Sequence, residues 1–251
     1  MADRFEGGRR TVADTHAGIA NYLRERREVA GLSRAELGRR AGVSEALIQK
    51  IEQGTRTPTA TALAALYEAL DVPHQYREHA AAVLQPGLAG LADYHEAPEP
   101  AELAFLHGLP NPACYQTMPA LDVIAANEAY LRWFPGLVVG GNVIEWMLFD
   151  PRSREAISEW DYTAHIMVHS FRYMSAGNTA PERAAEIVAA CGQSPDWDRF
   201  WHTDIAPADI PRKPTSMRSP DTGDWVPMYI QLFRYEMPRR PWWMYSVVPI
   251  P

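Results

Sequence analysis

The stretch from Ser33 to Pro58, SRAELGRRAGVSEALIQKIEQGTRTP, constrains the fold more than any other part of the chain. Ser33 is followed three residues later by Glu36, which is the spacing of a capping box, so a helix is predicted to begin at Ser33. Gly42 provides the backbone freedom that ends this helix, and Ser44 then caps a second one. Two short helices joined by a tight turn predict a helix-turn-helix.

The second helix, from Ser44 to about Gln53, has an apolar side and a polar side. Leu47, Ile48 and Ile51 recur at helical spacing and are expected to face the core. The opposite, outward surface is then formed by Glu45, Ala46, Gln49 and Lys50. Side chains on such a surface reach base edges when a helix enters a major groove of DNA.

This stretch resembles the XRE (Cro/C1-repressor-like) family of DNA-binding domains. The resemblance covers roughly residues 18 to 72 and is carried by Leu32-Ser33, Glu36-Leu37, Ala41-Gly42-Val43-Ser44, Ile48, Ile51-Glu52-Gln53-Gly54 and Pro58. It implies a buried salt bridge between Arg27 and Glu52, and a base-reading role for the outward surface. The residues expected near DNA phosphates are Arg34, Ser44, Thr55 and Arg56. The alternative is a generic domain of four or five helices that binds something else.

The charge of the chain is divided unevenly between its two parts. Residues 18 to 73 carry eight Arg/Lys against seven Asp/Glu, whereas residues 74 to 251 carry thirteen against twenty-one. A surplus of one positive charge gives weak attraction to phosphates, so tight binding to an operator in double-stranded DNA is expected to require a homodimer.

Composition indicates an ordinary globular protein, with 47% hydrophobic and 22% charged residues. No apolar run reaches the ~18 residues of a membrane span, and the polar start does not resemble a signal peptide. The sequence therefore predicts a cytoplasmic protein without a membrane partner. Cys114 and Cys191 lack the spacing of a disulfide framework or a zinc site.

The distribution of tryptophans, prolines and glycines along the chain predicts two domains. All eight tryptophans lie beyond residue 130, and residues 86 to 100 contain three prolines and two glycines. The predicted segments are a flexible arm (1–16), a helix-turn-helix domain (17–85), a linker (86–100) and a second domain (101–251). In the first domain we expect a helix over 17–30, with Ile19, Leu23 and Val29 facing the core. The next helix is expected to bury Ala35, Leu37 and Ala41. A fourth helix is expected after Pro58, and a short helix over 74–85.

The second domain is predicted to mix strands and helices. Residues 113–118 and 121–125 are expected to pair about a tight turn at Pro119-Ala120, and 225–235 with 242–248 to form an antiparallel hairpin. Between them, helices are expected over 127–134, from Pro151 to about 176, from a capping box at Thr179 to Gly192, and after Ser194-Pro195. This order predicts an α+β, PAS-like fold with helices across an antiparallel sheet.

The second domain resembles the MmyB-like ligand-binding domain, a PAS-related module that follows an XRE domain in many regulators. The resemblance covers about residues 101 to 249 and is carried by NPACYQTMPALDVIAANEAYLRWF, NVIEWMLFDPRSREAISEW, SPDWDRFWHT and SPDTGDW. Ser219-Pro220 stands where a His-Pro is common in that family. The resemblance implies a small apolar ligand, such as a fatty acid, held between sheet and helices.

Candidate ligand-binding residues are Trp133, Phe134, Trp146, Phe149, Trp160, Tyr229 and Phe233, although aromatic residues at these spacings also build ordinary cores. Asp161, His165, His169 and Arg172 form one polar stripe on a helix, which is expected to face solvent. His165 and His169 could hold a ligand headgroup. A metal site is not expected, because the glutamate of an HExxH motif is absent.

The sequence therefore predicts a sequence-specific transcription regulator whose second domain senses a small apolar ligand, with no cofactor. Catalysis is not expected, because no GxSxG, Walker or GxGxxG motif is present. One alternative is a second domain that only dimerises or binds proteins. Another is an enzyme, which would need a cysteine or serine within hydrogen-bond reach of a histidine.

Overall fold

The computed structural model describes residues 12–72, 76–77, 97–175, 178–205, 214–236 and 239–250. The chain divides into two compact units, as the sequence predicts. Unit 1 comprises Met1–Gly87, Arg172–Glu182 and Ala206–Ile210, and unit 2 comprises Leu88–Phe171, Arg183–Ile205 and Pro211–Pro251. Of the helix expected over 74–85, only Tyr76 and Arg77 are described, and both are helical. The rest of that segment and most of the expected linker lie outside the described residues.

Unit 1 contains the four helices expected around the helix-turn-helix. They are α1 (Val12–Val29), α2 (Arg34–Ala41), α3 (Glu45–Glu52) and α4 (Ala60–Ala69). α1 begins before the expected Ala17, so residues 12–16, which were assigned to the arm, are helical. Those five residues contain neither glycine nor proline, so nothing in them opposes the helix. The remainder of the arm lies outside the described residues.

Side-chain oxygens cap the three short helices of unit 1. Ser33 Oγ accepts from the Glu36 N–H at 3.1 Å, and Ser44 Oγ accepts from the Leu47 N–H at 3.3 Å. Thr59 Oγ1 caps α4 in the same way. Gly42 ends α2 with φ of 64°, the left-handed conformation that favours glycine. The structure therefore contains the side-chain caps at Ser33 and Ser44 and the terminating Gly42 that the sequence predicts.

The core of unit 1 differs from the expected pattern at two positions. Val29 is 55% exposed, because it is the last residue of α1 and extends past the core. Ala35 is exposed, since Leu37 and Gly38 form the buried side of α2 and Ala35 lies about 200° from Leu37 around the helix axis. The buried apolar residues include Leu23, Leu32, Leu37, Ile48, Ile51, Leu63, Leu66 and Leu70.

Gly38 marks the closest approach between α2 and the turn that follows it. A Cβ at this position would lie 2.5 Å from the carbonyl oxygen of Val43, a backbone atom that cannot move without opening the turn. Gly38→Ala is therefore expected to lower the free energy of unfolding of unit 1 by about 1 to 3 kcal/mol, measured by urea titration with circular dichroism. Gly108→Ala is the matched control, because a Cβ there meets nothing within 4 Å. Equal stability of both variants would contradict the steric argument.

Within the described residues, unit 2 is built on a five-stranded antiparallel sheet. Its strands are β1 (Ala113–Thr117), β2 (Val123–Ala126), β3 (Thr215–Arg218), β4 (Trp225–Glu236) and β5 (Arg239–Pro249). They lie side by side in the order β2-β1-β5-β4-β3. The predicted pairing of β1 with β2 and the predicted β4–β5 hairpin are both confirmed.

Helices precede the sheet and connect its strands. They are α5 (Pro100–Gly108), α6 (Glu128–Trp133), α7 (Val143–Phe149), α8 (Pro151–Ala156), α9 (Trp160–Met174), α10 (Pro181–Cys191) and α11 (Trp197–His202). Among the helices of the described residues, none combines the length and the apolar content that a bilayer crossing requires. The α+β class expected for the second domain is confirmed.

The prediction of a single long helix from Pro151 onward is wrong. Ile157 is extended, with φ of −123° and ψ of 120°, and forms a β-bridge with Met217 of β3. The Ser158 N–H donates to the Ser216 carbonyl at 3.0 Å. Pairing with the sheet therefore replaces helical hydrogen bonds at this point and separates α8 from α9.

The beginnings of two other helices also differ from expectation. Thr179 does not cap α10, since its buried Oγ1 has no hydrogen-bond partner among the described residues. No helix was expected where α5 lies: it begins at Pro100, the last residue of the expected linker, with Glu99 and Glu102 forming a capping box. The prolines that indicated a linker include the one that occupies the first helical position of α5.

The two faces of the sheet pack against different helices. Consecutive residues of a strand point to opposite faces, and Cys114 joins a core built by α6 to α11, whereas Tyr115 joins a smaller cluster with Leu106 of α5. The larger core contains aromatic side chains from several helices, among them Phe134, Trp146, Trp160, Phe171 and Phe200. All eight tryptophans lie in unit 2.

Candidate functional site

α3 presents the outward surface that its sequence predicts. Glu45, Ala46, Gln49 and Lys50 are all exposed. We call these four residues the outer surface of α3. On the opposite side of the helix, Ile48 and Ile51 are each only 2% exposed, and Leu47 is half-buried. One side of α3 therefore anchors the helix in the core, and the other is accessible.

Both ends of α3 carry polar groups. At the beginning, the exposed Ser44 accepts from the Leu47 N–H and keeps its own hydroxyl proton for another acceptor. At the end, Thr55 Oγ1 donates to the Lys50 carbonyl at 3.0 Å, which uses the only donor of that hydroxyl. Arg56 follows with an exposed side chain. Ser44 and Arg56 are thus placed to donate to a phosphate, whereas Thr55 would first have to release Lys50.

A buried ion network fixes the carboxy-terminal end of α3. Glu52 is 1% exposed, and its Oε1 lies 2.6 Å from Arg27 Nε on α1, which confirms the expected pair. Arg27 Nη2 also donates to Glu52 Oε2, at 3.1 Å. Arg34 of α2 joins from the surface, with its Nε 2.8 Å from the same oxygen and its side chain 38% exposed.

The environment of Glu52 favours its charged form. Burial alone would raise its pKa, but the hydrogen bonds from Arg27 and Arg34 outweigh burial and lower the pKa below the ordinary value of 4.5. The hydrogen bond to Glu52 in turn raises the pKa of Arg27. At neutral pH this network of ions therefore holds α1, α2 and α3 together behind the outer surface of α3.

The polar stripe of α9 faces solvent only in part: Asp161 is exposed as expected, whereas His169 is not. His169 is 1% exposed, and its Nε2 lies 2.8 Å from Asp204 Oδ1. His165 Nε2 lies 3.0 Å from the Thr203 carbonyl oxygen, and the ring stacks on Phe200 of α11. This side of α9 packs against α11 and the residues that follow it, so both histidines contact other residues of the same unit. Within the described residues, no group of three or more His, Cys, Asp or Glu is arranged to hold a metal ion.

The nine candidate ligand-binding residues do not form one site. Phe134, Trp146 and Trp160 are buried in the larger core, with Trp133 packed against its edge. The rings of Phe134 and Trp146 meet edge-on at 5.9 Å, and Trp160 Nε1 donates to the Met147 carbonyl. Trp160 and His165 both contact Phe200, which brings these two candidates near each other.

Phe149, Tyr229 and Phe233 are exposed and lie elsewhere. Phe149 is 49% exposed beside a groove of ≈ 550 Å³ that Trp146 and Arg152 also line. Phe233 pairs with Met244 of the α5-side cluster, so it points away from the core that contains Trp160. Tyr229 shares the face of Phe233, since the two are four residues apart on one strand.

The face that carries Phe233 has a groove of ≈ 540 Å³. Its lining residues are Phe105, Leu109, Gln231, Phe233, Arg234, Tyr235, Met244, Ser246 and Val248. This groove lies between α5 and the β4–β5 hairpin, on the side of the sheet opposite to the helices expected to enclose a ligand.

Neither cysteine supports an enzymatic site. Cys114 and Cys191 are both fully buried, and burial raises the pKa of each thiol to about 12. A thiol of such high pKa remains protonated at neutral pH and is a poor nucleophile.

Comparison with known families agrees with both parts of this geometry. A family described as a helix-turn-helix domain matches residues 19–80, and the MmyB-like transcription regulator ligand binding domain matches residues 98–249. The chain belongs to the MmyB-like transcription regulators. That family is one of transcription regulators, and no enzymatic family is indicated.

Other comparisons with this MmyB-like regulator are less extensive. A crystal structure of an HTH_3 family transcriptional regulator from Vibrio cholerae is 27% identical, covers 36% of this chain and 47% of that chain, and superposes with a TM-score of 0.25. The MmyB-like regulator thus spans about half the length of that protein. A comparison with curated proteins finds no match.

Asp204 was missed as the partner of His169 because the two lie 35 positions apart and no local spacing links them. The role of Arg34 in the Glu52 network was also missed, because Arg34 was assigned to phosphate contact alone. No local spacing links Arg34 to Glu52, since the two residues lie 18 positions apart.

Proposed function

We propose that the protein is a sequence-specific regulator that places α3 in the major groove of an operator as a homodimer. The observation that carries this proposal is the exposed outer surface of α3 held in place by the Glu52 network. Residues proposed to meet base edges are Glu45, Ala46, Gln49 and Lys50. Two such helices would occupy half-sites about 34 Å apart.

Phosphate contacts are proposed for the residues that flank α3. They are Arg34, Ser44, Thr55 and Arg56. Arg34 uses its Nε for Glu52, so phosphate would be bound by the other N–H groups of its guanidinium. We also propose a DNA-binding domain that begins at Val12 with α1 and extends to about residue 85, a linker that ends before α5, and a ligand-binding domain from Pro100 onward, in a protein that works in the cytoplasm.

Exchanging Lys50 and Arg56 for alanine, one at a time, tests the assignment. Lys50→Ala is expected to change base preference at one position by about 1 to 3 kcal/mol, because a base-edge contact distinguishes bases. Arg56→Ala is expected to weaken binding to all sequences alike and to reduce the salt dependence of binding. Selection of bound DNA from a random library, followed by titrations at several salt concentrations, measures both effects. Equal losses on every sequence for both variants would contradict the proposal.

The carboxy-terminal domain is proposed to bind a small apolar molecule, in keeping with the family to which the chain belongs. Occupancy would shift the population between two arrangements of the DNA-binding domains, which requires different affinities for the two. Support for a ligand of this kind comes from the largely apolar lining of the groove beside Phe233, whereas the groove beside Phe149 is also lined by Asn142, Glu145, Asp150 and Arg152.

A second candidate is a regulator without an effector, whose carboxy-terminal domain only dimerises. The observation that favours it is the close packing of Phe134, Trp146 and Trp160 between helices and sheet. Mass spectrometry of molecules extracted from the purified full-length protein separates the two candidates. A stoichiometric apolar molecule supports the receptor, and its absence supports the effector-free regulator.

A further inference from the structure

The carboxylates of α2 and α3 differ in what they bind. Glu36 Oε1 lies 3.3 Å from Arg40 Nη2, and Glu52 is held by two arginines in the buried network. Glu45 is exposed, and within the described part of the chain no Arg, Lys or His lies at ion-pair distance from its carboxylate. The charge of Glu45 is therefore available to a molecule outside the chain.

The position of Glu45 on α3 directs this charge outward. Glu45 is the first residue of the helix, between the cap Ser44 and Ala46. Both neighbours are short, so the Glu45 side chain extends beyond them. Recognition helices contact base edges with the residues near their amino terminus. In the proposed complex the Glu45 carboxylate therefore lies among the bases of the major groove.

A carboxylate discriminates between bases because it can only accept hydrogen bonds. In the major groove the donors are the amino groups of cytosine and adenine, whereas guanine and thymine present acceptors alone. The adenine amino group has an acceptor on each side, its own N7 and the O4 of the paired thymine. The cytosine amino group has an acceptor on one side only, the O6 of the paired guanine. Cytosine is therefore the base that repels a carboxylate least and still donates to it.

We infer that Glu45 is a specificity-determining residue that accepts a hydrogen bond from the amino group of a cytosine in each operator half-site, and that it excludes guanine and thymine from that position. The inference rests on the proposed function, since it names the base that one residue on the outer surface of α3 reads.

The charge of the DNA-binding part makes this discrimination strict. Residues 18 to 73 carry eight Arg/Lys against seven Asp/Glu, so few basic residues offset the repulsion between a carboxylate and the DNA phosphates. A hydrogen bond from a base amino group compensates that repulsion at cytosine. Opposite guanine or thymine, the carboxylate loses its water and meets only acceptors. The wrong base is therefore penalised, in addition to lacking the contact.

The spacing between Glu45 and Lys50 predicts where the cytosine lies. The two residues are five positions apart, which corresponds to about 7.5 Å along the helix and about two base-pair steps of DNA. They cannot read the same base, because a lysine only donates hydrogen bonds and needs a base that accepts. The cytosine is therefore expected about two base pairs from the position at which Lys50→Ala changes base preference.

Selection of bound DNA from a random library tests the inference with the full-length protein. Wild type is expected to select cytosine at one position of each half-site, and replacement of that C·G pair is expected to weaken binding by roughly 10- to 100-fold. Glu45→Gln is expected to change the selected base there from cytosine to adenine, because a glutamine amide forms two hydrogen bonds with the adenine edge. The other positions are expected to stay as in wild type.

Glu36→Gln is the matched control for the selection. The same exchange removes the same charge from an acid on α2 whose side chain is 40% exposed and which does not belong to the outer surface of α3. Its effect on binding is expected to be alike for all sequences, with cytosine still selected. A change of selected base in Glu45→Gln alone therefore cannot arise from the lost charge by itself.

Removal of the base amino group tests the contact directly. A selected operator is synthesised with 2-pyrimidinone, which lacks only that amino group, in place of the cytosine. Wild type is expected to bind this duplex roughly 10-fold more weakly. Glu45→Ala is expected to bind both duplexes equally, because it has no side-chain acceptor to lose.

The outcomes separate the inference from the proposed function. A wild type that selects no DNA sequence would contradict both. A wild type that selects a sequence, none of whose bases changes in Glu45→Gln, would overturn the inference alone and reduce Glu45 to a favourable charge at the amino terminus of α3. Guanine or thymine at the position that changes would overturn it as well. A switch from cytosine to adenine at one position, with wild-type selection by Glu36→Gln, supports both.

Discussion

Glu52→Ala is expected to lower the free energy of unfolding of unit 1 by about 3 to 5 kcal/mol, because it leaves a buried guanidinium without its carboxylate. Only 9% of the Arg27 side chain is exposed, and two of its three nitrogens donate to Glu52. Its remaining described bonds are from Nη1 to the Leu32 carbonyl and from Nη2 to Glu28. Hydrogen–deuterium exchange of the α1 to α4 peptides across a urea titration measures the loss in unit 1 alone.

Glu36→Ala is the control for this variant. Glu36 also accepts from an arginine, Arg40 at 3.3 Å, but its side chain is 40% exposed and that of Arg40 is 54% exposed. Water screens such a pair, so its removal is expected to cost less than about 1 kcal/mol. If the two glutamate variants were equally stable, burial would not be what makes the Glu52 network important.

The same network predicts the direction of an acid response. The pKa of Glu52 is lower in the folded state than its ordinary value of 4.5. The stability that this carboxylate contributes is therefore complete above that value and is lost as the pH falls through the lower, folded-state pKa. Glu52→Gln is expected to remove this part of the acid sensitivity of unit 1, which urea titrations at several pH values below neutrality would show.

Asn127→Ala is expected to destabilise unit 2 by about 3 to 5 kcal/mol, because one 2%-exposed amide satisfies several backbone groups at once. Its Oδ1 accepts from the Ala113 N–H at 3.1 Å and from the Tyr130 N–H at 2.8 Å. Its Nδ2 donates to the carbonyl of Asn111 at 2.8 Å and to that of Leu109 at 3.2 Å. Alanine would leave these groups unpaired where β1, α6 and the segment after α5 meet.

Glu128→Ala, at the next residue, controls for effects of the α6 amino terminus. Glu128 is exposed, and its loss removes only a favourable charge near the helix dipole, worth less than about 1 kcal/mol. Thermal unfolding followed by near-ultraviolet circular dichroism compares the two variants. A similar midpoint for both would show that the buried amide is not the source of the effect.

Sequence reasoning succeeded where structure depends on nearby residues. Ser33, Gly42 and Ser44 act within three or four positions, so the ends of α2 and α3 could be predicted closely. The β4–β5 hairpin and the β1–β2 pair follow from alternation and short turns. Arg27 and Glu52 were paired correctly because the XRE pattern specifies both positions.

Sequence reasoning failed where a residue depends on a distant partner. The break at Ile157 depends on Met217 in β3, which lies 60 positions away, and helical periodicity continues across it. His169 was expected to face solvent, because the segment that contains Asp204 could not be placed against α9 from spacing alone. The aromatic candidates were grouped by residue type, and only the strand register shows that Phe233 and Trp160 lie on opposite faces of the sheet.

The confinement of every tryptophan to unit 2 gives the protein a built-in optical probe. Selective excitation of the indole rings yields an emission spectrum that originates in unit 2 alone, since the sequence of unit 1 contains no tryptophan. The wavelength and intensity of that emission can therefore follow added small molecules or denaturant without any attached dye, and in a titration with DNA the emitted light still reports only on the unit that lacks α3.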